Sequence, residues 1–250
     1  MKQIPGRLLE ELFKHAADAY PNEACGLFLQ QNNRGRVVYV RCANIAEDPK
    51  EAFRIDEKDM VVAEEYGTIV GICHSHPDCL SARPSEKDVV MCNINEIPWH
   101  IVSYPNKDYQ CLVPEDMPLI GRPFVLGATD CWGLMLEWHH QYGIVLDDPR
   151  PEPDYPWWES GKEQRYTADS LAASGFVMQN QPTAGSVIVM QIQAPVANHA
   201  GLILPDGMML HHLYGQLSGR TIYGDYWRER TWYICRHKDL PPPEEIDNVT

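Results

Sequence analysis

Two histidines separated by one residue stand at the end of an apolar run in the first half of the chain. His74 and His76 close the stretch TIVGICHSH, whose apolar and β-branched residues predict a buried strand. Side chains two apart on a strand point to the same face, so the two imidazoles can bind one metal ion. Asp88, which follows in PSEKD, can bring a carboxylate oxygen to the same ion. Three such ligands and one water are a common arrangement for catalytic zinc, so the pattern predicts a metal site capable of hydrolysis.

A cysteine and a histidine in the second half form another chemically competent set. Cys131 in TDCWGLM stands at a predicted helix start, where backbone N–H groups are expected to stabilise a thiolate. His199 begins the predicted strand NHAGLIL and is the expected base, because a strand packed on that helix can bring its imidazole to the sulfur. These two residues predict nucleophilic attack on a carbonyl group.

The elements that must position the first set follow from residue spacing. Apolar residues recur at helical spacing over residues 8–20, Asp56 predicts the start of a second helix, and Ser85 predicts the cap of a third. Asp88 then falls in the first turn of that third helix. Strands are predicted at residues 25–30, 36–42, 68–76, 99–104 and 108–113, with a hairpin turn NNRG at 32–35. Residues 1–113 are therefore predicted to form an α/β domain, a sheet flanked by helices.

The second half has a different organisation. Residues 114–123, PEDMPLIGRP, contain three prolines and a glycine without periodicity, which predicts a linker. Helices are predicted around the cysteine and over 160–173, and strands at 186–192, 199–204, 208–213 and 231–237. Helices followed by antiparallel strands indicate an α+β domain over residues 124–238. The sequence DLPPPEEIDNVT at 239–250 predicts a disordered tail.

Composition restricts the class of protein. The formal charge of −14 disfavours nucleic acid as a partner, because phosphate backbones attract basic surfaces. No run approaches the ~18 apolar residues of a membrane span, and the first residues have no apolar signal core, so neither membrane insertion nor export is expected. The eight cysteines lack CxxC pairs, which predicts reduced thiols in a cytoplasm.

The histidine set resembles a known metallopeptidase motif. HSHP followed by PSEKD, with NEACGLFL upstream, resembles the JAMM motif of the MPN (Mov34/PAD-1) metallopeptidases. The resemblance implies one zinc ion bound by His74, His76 and Asp88. It also implies that Glu23 takes a proton from the zinc-bound water and that Ser85 helps to hold the developing oxyanion. Seven residues separate Pro77 from Ser85, more than is usual in that family, so the loop is expected to bulge.

The cysteine set resembles a second peptidase family. DCWGL and NHAGLIL resemble the Asp-Cys-x-Gly-hydrophobic motif and the His-x-Gly strand of the NlpC/P60 cysteine peptidases, papain-like enzymes best known for cutting peptides of bacterial cell walls. The resemblance implies Cys131 as nucleophile, His199 as base and His211 as the residue that orients the base. A tyrosine upstream of the cysteine often contributes to the oxyanion hole in this family, but Phe124 and Leu126 stand there instead. The Cys131 backbone N–H is therefore the expected donor.

The order of the two signatures resembles the tail tip assembly proteins of lambda-like siphophages. That resemblance implies work in the cytoplasm of an infected bacterium, with phage tail tip proteins or peptidoglycan stem peptides as partners. Three functions stay open: a peptidase that matures a tail component, a cell-wall endopeptidase, and a non-catalytic assembly factor in which zinc is structural. The favoured interpretation is a hydrolase linked to tail assembly.

Overall fold

A computed structural model describes residues 4–31, 35–150 and 156–249. The chain divides into two compact units, residues 1–116 and 117–250. The predicted turn NNRG falls on residues 32–35, of which 32–34 lie outside the described residues. In the described part of the chain, no helix is long and apolar enough to cross a membrane.

The first unit is a five-stranded sheet with helices on both faces. Its elements are α1 (Gly6–Ala19), β1 (Cys25–Gln31), β2 (Val37–Cys42), α2 (Glu57–Tyr66), β3 (Gly67–Cys79), α3 (Glu86–Asn95), β4 (Trp99–Pro105) and β5 (Tyr109–Leu112). The strand order is β2-β1-β3-β4-β5. β3 and β4 are parallel and are joined through α3, whereas the other neighbours are antiparallel. The predicted α/β fold of this half is confirmed.

Local sequence explains why these helices form where they do. In α1, Leu8, Leu12 and Ala16 are spaced four apart and are buried against one face of the sheet, as an amphipathic helix requires. α2 begins after Asp56, whose side chain accepts from the Lys58 N–H, so the predicted cap is confirmed. α2 and α3 pack on the opposite face, which leaves the central strands buried on both sides.

The second unit is an antiparallel sheet with a helix packed on it. Its elements are α4 (Cys131–Gln141), α5 (Ala168–Ala173), β6 (Phe176–Met178), β7 (Ser186–Met190), β8 (His199–Ile203), β9 (Met208–His211), β10 (Gly219–Ile222), α6 (Asp225–Arg228) and β11 (Thr231–His237). The strand order is β10-β9-β8-β7-β11-β6. Leu134, Met135 and Trp138 of α4 are buried, and the helix contacts β8. The predicted α+β fold of this half is confirmed.

Two predicted elements of the second unit differ from the structure. The helix predicted over 160–173 is wrong in its first half, because Gly161 adopts φ +66° and a capping box between Thr167 and Ser170 delays the helix to Ala168. The predicted disorder of 239–250 is wrong for the described residues. Leu240 and Ile246 are buried in the core of this unit, so two apolar side chains among prolines and acids hold the segment in place.

Part of the predicted linker is also ordered. Within 114–123, Leu119 and Arg122 are both buried in the second unit. The Arg122 guanidinium donates to the Pro118 carbonyl at 2.6 Å and pairs with Glu137 of α4. The Arg122 N–H donates to the Ser218 hydroxyl at 2.9 Å. A buried cation with these partners fixes the backbone that leads into the cysteine motif.

Candidate functional site

The structure brings His74, His76 and Asp88 together at one point. The two histidine Nε2 atoms are 3.0 Å apart. The Asp88 carboxylate lies 3.2 Å from His74 Nε2 and 3.4 Å from His76 Nε2. One ligand atom from each residue lies within 4.8 Å of the others, and His74 and Asp88 are buried. Two imidazole nitrogens and a carboxylate oxygen that converge in this way can hold a metal ion.

The start of α3 delivers Asp88 to the histidines. The Ser85 N–H donates to Asp88 Oδ2 at 2.7 Å, and the Asp88 N–H donates to the Ser85 hydroxyl at 3.1 Å, which makes a capping box. The preceding loop bulges as expected, since the pairing of β3 with β4 shifts register between Pro77 and Cys79 and Asp78 adopts φ +58°. The oxyanion role implied for Ser85 stays a prediction, because its hydroxyl is seen here as a helix cap.

Burial and hydrogen bonds together set the pKa values of the three residues in this cluster. Burial opposes ionisation of Asp88, but the hydrogen bonds from His74, His76 and the Ser85 N–H outweigh it and hold the pKa of this carboxyl well below its usual range. Burial lowers the pKa of His74, although the hydrogen bond and the charge of Asp88 act in the opposite direction. Burial acts the same way on His76, yet Asp88 overcomes it and raises the pKa of that imidazole. The cluster therefore keeps an anionic carboxylate available for a cation.

Glu23 lies beside this cluster, two residues before the start of β1. Cys25 pairs with His74 in the sheet, so the chain two residues earlier passes the His76 end of β3. Ser75 fixes that approach, because its N–H donates to the Ala24 carbonyl at 3.0 Å and its hydroxyl accepts from the Ala24 N–H at 2.8 Å. Burial raises the pKa of Glu23 to about 7, and His76 partly opposes the shift. A carboxyl with that pKa can both accept and release a proton near neutral pH.

The cysteine set is assembled at the start of α4. Asp130 caps this helix, and its carboxylate accepts from the N–H groups of Trp132 and Gly133 at 3.0 and 2.9 Å. Cys131 is thereby placed at the first helical position, where it lines a cleft of about 550 Å³ together with His199, the first residue of β8.

The two histidines of the second unit are also brought together. His199 Nε2 lies 3.1 Å from His211 Nδ1, because β8 and β9 are paired neighbours in the sheet. With Nε2 engaged in this way, Nδ1 is the nitrogen of His199 that is left for the cysteine. The next residue, His212, donates from Nε2 to the Gln216 carbonyl at 3.0 Å.

The expectation that the helix start stabilises a thiolate is wrong in net direction. Burial, and then the Asp130 carboxylate, raise the pKa of Cys131 to about 12. The Trp132 and Gly133 N–H groups donate to the Asp130 carboxylate and not to the sulfur. They therefore do not stabilise a Cys131 thiolate as expected. Burial lowers the pKa of His199 to about 3 and that of His211 to about 4. The resting pair is therefore a thiol and a neutral imidazole.

Comparison with known proteins places this geometry in a family. The model for prokaryotic homologs of the JAB domain matches residues 5–112, and the NlpC/P60 family model matches residues 121–236. "Tail tip assembly protein K" of Escherichia phage N15 is 43% identical over 237 residues, which cover 94% of this chain and 96% of that protein. The chain belongs to the tail tip assembly protein K family. The protein of that name from Escherichia phage lambda is 36% identical over 184 residues, 72% of this chain and 88% of the relative.

Family membership confirms the resemblance drawn from the two signatures. The JAB unit is the one that holds the histidine cluster, and the NlpC/P60 unit is the one that holds the cysteine cleft. Among solved structures, a JAB1/MPN domain protein from Archaeoglobus fulgidus is similar to 42% of this chain and 83% of its own, at 21% identity and a TM-score of 0.28.

Several residues that shape the JAB site gave no signal in the sequence. The Asn44 amide donates to the Glu23 and Ala52 carbonyls, each at 3.0 Å, and its oxygen accepts from the Arg54 N–H at 3.1 Å. This loop carries Phe53, whose ring stacks on His74 at 4.5 Å and 22°. A lone asparagine and a lone phenylalanine in a loop have no periodicity, so only the folded chain shows that they position the site.

The NlpC/P60 site also includes residues that no sequence pattern indicated. The ring of Trp227 packs edge-on against His211 at 4.8 Å and lies 6.3 Å from His199. Tyr166 lines the cleft that contains Cys131. Both lie far from the cysteine motif along the sequence, so no spacing rule could associate them with it.

The glycine of the DCWGL motif should be intolerant of a side chain. A Cβ at Gly133 would lie 1.8 Å from the Ala128 carbonyl oxygen, so Gly133→Ala must displace the start of α4. We expect the free energy of unfolding of the NlpC/P60 unit to fall by about 1–3 kcal/mol, measured by urea denaturation. Gly219→Ala is the matched control, because the nearest atom to its Cβ would be 3.9 Å away. Equal losses in both variants would contradict the packing argument.

Proposed function

We propose that this chain is a peptidase with two independent sites, and that it cleaves a protein of the phage tail tip during assembly. The observation that carries the proposal is the convergence of Cys131 and His199 on one cleft, with His211 at 3.1 Å behind the imidazole. Nucleophile, base and orienting group are thus present in the order that covalent catalysis needs. The metal cluster of the JAB unit supplies the second site.

At the cysteine site, each residue has a defined task. His199 Nδ1 removes the proton from the Cys131 thiol as the sulfur attacks the carbonyl carbon of a peptide bond. The imidazolium then passes that proton to the leaving amine, and water hydrolyses the resulting thioester. His211 keeps the ring of His199 in position through the second nitrogen. The Cys131 N–H is the expected donor to the oxyanion.

At the JAB site, His74, His76 and Asp88 fit a metal ion of the zinc type, because two buried imidazoles and a carboxylate converge with all ligand atoms within 4.8 Å. Such an ion acts as a Lewis acid and lowers the pKa of a bound water to about 7. Glu23, whose carboxyl lies near His76 and Asp88, would accept a proton and return it to the leaving amine. Asn44 and Ser75 hold the peptide bond that follows Glu23, because the Asn44 amide donates to its carbonyl and the Ser75 hydroxyl accepts from its N–H.

A tail protein in the host cytoplasm is the substrate that we favour. The relatives from phages N15 and lambda bear the name of tail tip assembly proteins. The cysteines of the described residues form no disulfide bond, which suits a reducing compartment. Cell-wall stem peptides are the alternative substrate, and they require delivery outside the cytoplasm.

The test is complementation of a phage from which this reading frame has been deleted. We expect Cys131→Ala to lower the yield of infectious particles by at least about 100-fold and to leave one tail protein at its uncleaved mass. Glu23→Gln should have a similar effect through the other site. Cys79→Ala and Glu64→Gln are the controls, since Cys79 and Glu64 are exposed.

The outcomes separate the open functions. Wild-type yields from Cys131→Ala and Glu23→Gln, together with loss of particles in His74→Ala, would favour a non-catalytic assembly factor. Assembled particles with unchanged tail proteins, and stem-peptide fragments released from peptidoglycan by the wild type only, would instead favour a cell-wall endopeptidase. Mass spectrometry of particles gives the masses of the tail proteins, and mass spectrometry of digested peptidoglycan detects the stem-peptide fragments.

A further inference from the structure

We propose that Tyr166 is a further catalytic residue of the cysteine site, whose hydroxyl donates to the Cys131 sulfur and stabilises it as the proton leaves. The inference rests on the proposed function of that site. Tyr166 precedes α5 and stands far along the sequence from the cysteine motif. Tyr166 and Cys131 are buried members of one core cluster and line the same cleft.

Packing fixes the ring of Tyr166 next to the cysteine. The ring lies 5.1 Å from the indole of Trp132, the residue that follows Cys131 in α4. On another side it meets the indole of Trp157 edge-on at 5.5 Å. A phenol held between two indoles has little rotational freedom, so holding its hydroxyl near the cysteine costs little further conformational entropy.

The Tyr166 hydroxyl supplies the hydrogen-bond donor that the start of α4 does not offer to the sulfur. The Trp132 and Gly133 N–H groups are directed to the cap at Asp130, so they are not available to the sulfur. The remaining groups that favour an ionised Cys131 are the Ala200 N–H, the charge of Arg150 and the Tyr166 hydroxyl. Of these three groups, the Tyr166 hydroxyl is the one that a substitution, Tyr166→Phe, removes without a change of charge.

The phenol is suited to donate and not to ionise. Burial raises the pKa of Tyr166 well above its usual value, and the neighbouring sulfur and Asp130 carboxylate act in the same direction. The hydroxyl therefore keeps its hydrogen over the working pH range. During the reaction the S–H bond breaks, the proton goes to His199 Nδ1, and the sulfur keeps the electron pair that the hydroxyl then stabilises.

Alkylation of Cys131 by iodoacetamide tests this contact without a substrate. Peptide mass spectrometry gives the rate for each cysteine of the intact chain over a range of pH. We expect Tyr166→Phe to move the pH profile of Cys131 alkylation upward by about one unit. At neutral pH the rate should fall about threefold, because about tenfold less thiolate is partly offset by the greater nucleophilicity of a more basic sulfur. Asp130 and Arg150, whose charges act on the sulfur, and His199, which lines the same cleft, are unchanged in this variant.

Controls distinguish a lost hydroxyl from a disturbed fold. Tyr142→Phe removes a hydroxyl from the far end of α4 and should leave the Cys131 rate unchanged. Cys235 is fully buried, so its alkylation in Tyr166→Phe would report unfolding of the unit. In that case 3,5-difluorotyrosine at position 166 decides, because a stronger donor of the same shape should speed the reaction of Cys131.

A wild-type rate and pH profile in folded Tyr166→Phe would overturn the inference, as would slower alkylation in the difluorotyrosine protein. The result is separable from the proposed function. If Cys131→Ala supports phage assembly but Tyr166→Phe shifts the alkylation profile, the contact stands and the peptidase role falls.

Discussion

Asp88→Asn should abolish metal binding by the JAB unit. The purified wild type is expected to carry about one zinc ion per chain, and the variant should bind zinc at least about 100-fold more weakly. The physical reason is that the anionic carboxylate lies within 3.4 Å of both histidine Nε2 atoms, and a neutral amide cannot replace its charge. Metal analysis and competition with a chelator of known affinity give the measurement.

The variant is chosen to keep the fold. An asparagine oxygen can still accept from the Ser85 N–H, so the capping box of α3 loses little. Glu86→Gln is the matched control, because Glu86 is an exposed acid in the same helical turn. Glu23→Gln should also retain the ion, since Glu23 is assigned to proton transfer and not to the ligand set. Full zinc loading of Asp88→Asn would refute the ligand assignment.

The NlpC/P60 unit should lose much of its stability between pH 7.5 and pH 5. Burial lowers the pKa of three of its histidines, to about 3 for His199 and to about 4 for His139 and His211. In the unfolded chain these imidazoles titrate near ~6.5. As pH falls below that value the unfolded state takes up protons that the folded state refuses, so stability present above pH ~6.5 is lost toward pH ~4. Each histidine contributes about 1–2 kcal/mol of loss at pH 5.

Urea unfolding followed by tryptophan fluorescence measures this effect. Trp99 is the one tryptophan of the JAB unit, so the other six of the seven report on the NlpC/P60 unit. His139→Leu should reduce the pH dependence by at most about a third, because His199 and His211 keep their share. Burial also lowers the pKa of His212 and His237, which adds to the part that remains. His139 is the suitable position, since it is fully buried and donates from Nδ1 to the Met135 carbonyl within its own helix. An unfolding midpoint that is unchanged between pH 7.5 and pH 5 would refute the prediction.

Local spacing was sufficient to predict much of both sites. His74 and His76 share a face because a strand alternates its side chains, and the Ser85–Asp88 pair caps a helix because three residues span its first turn. The cysteine at a helix start and the histidine at a strand start follow from the same kind of reasoning. Interactions of this kind act over one turn or one pleat, so the residues that make them are neighbours in the printed chain.

The sequence by itself thus determined the two domain types and the order of the motifs, and it predicted the metal ligands and the nucleophile. Only the tertiary structure decided that Asn44 and Phe53 position the histidine cluster, that Tyr166 and Cys131 line one cleft, and that the last described residues are packed. It also decided that the resting cysteine is a thiol. The physical reason is that burial and contacts between distant segments depend on how strands pair and helices pack, which no local periodicity encodes.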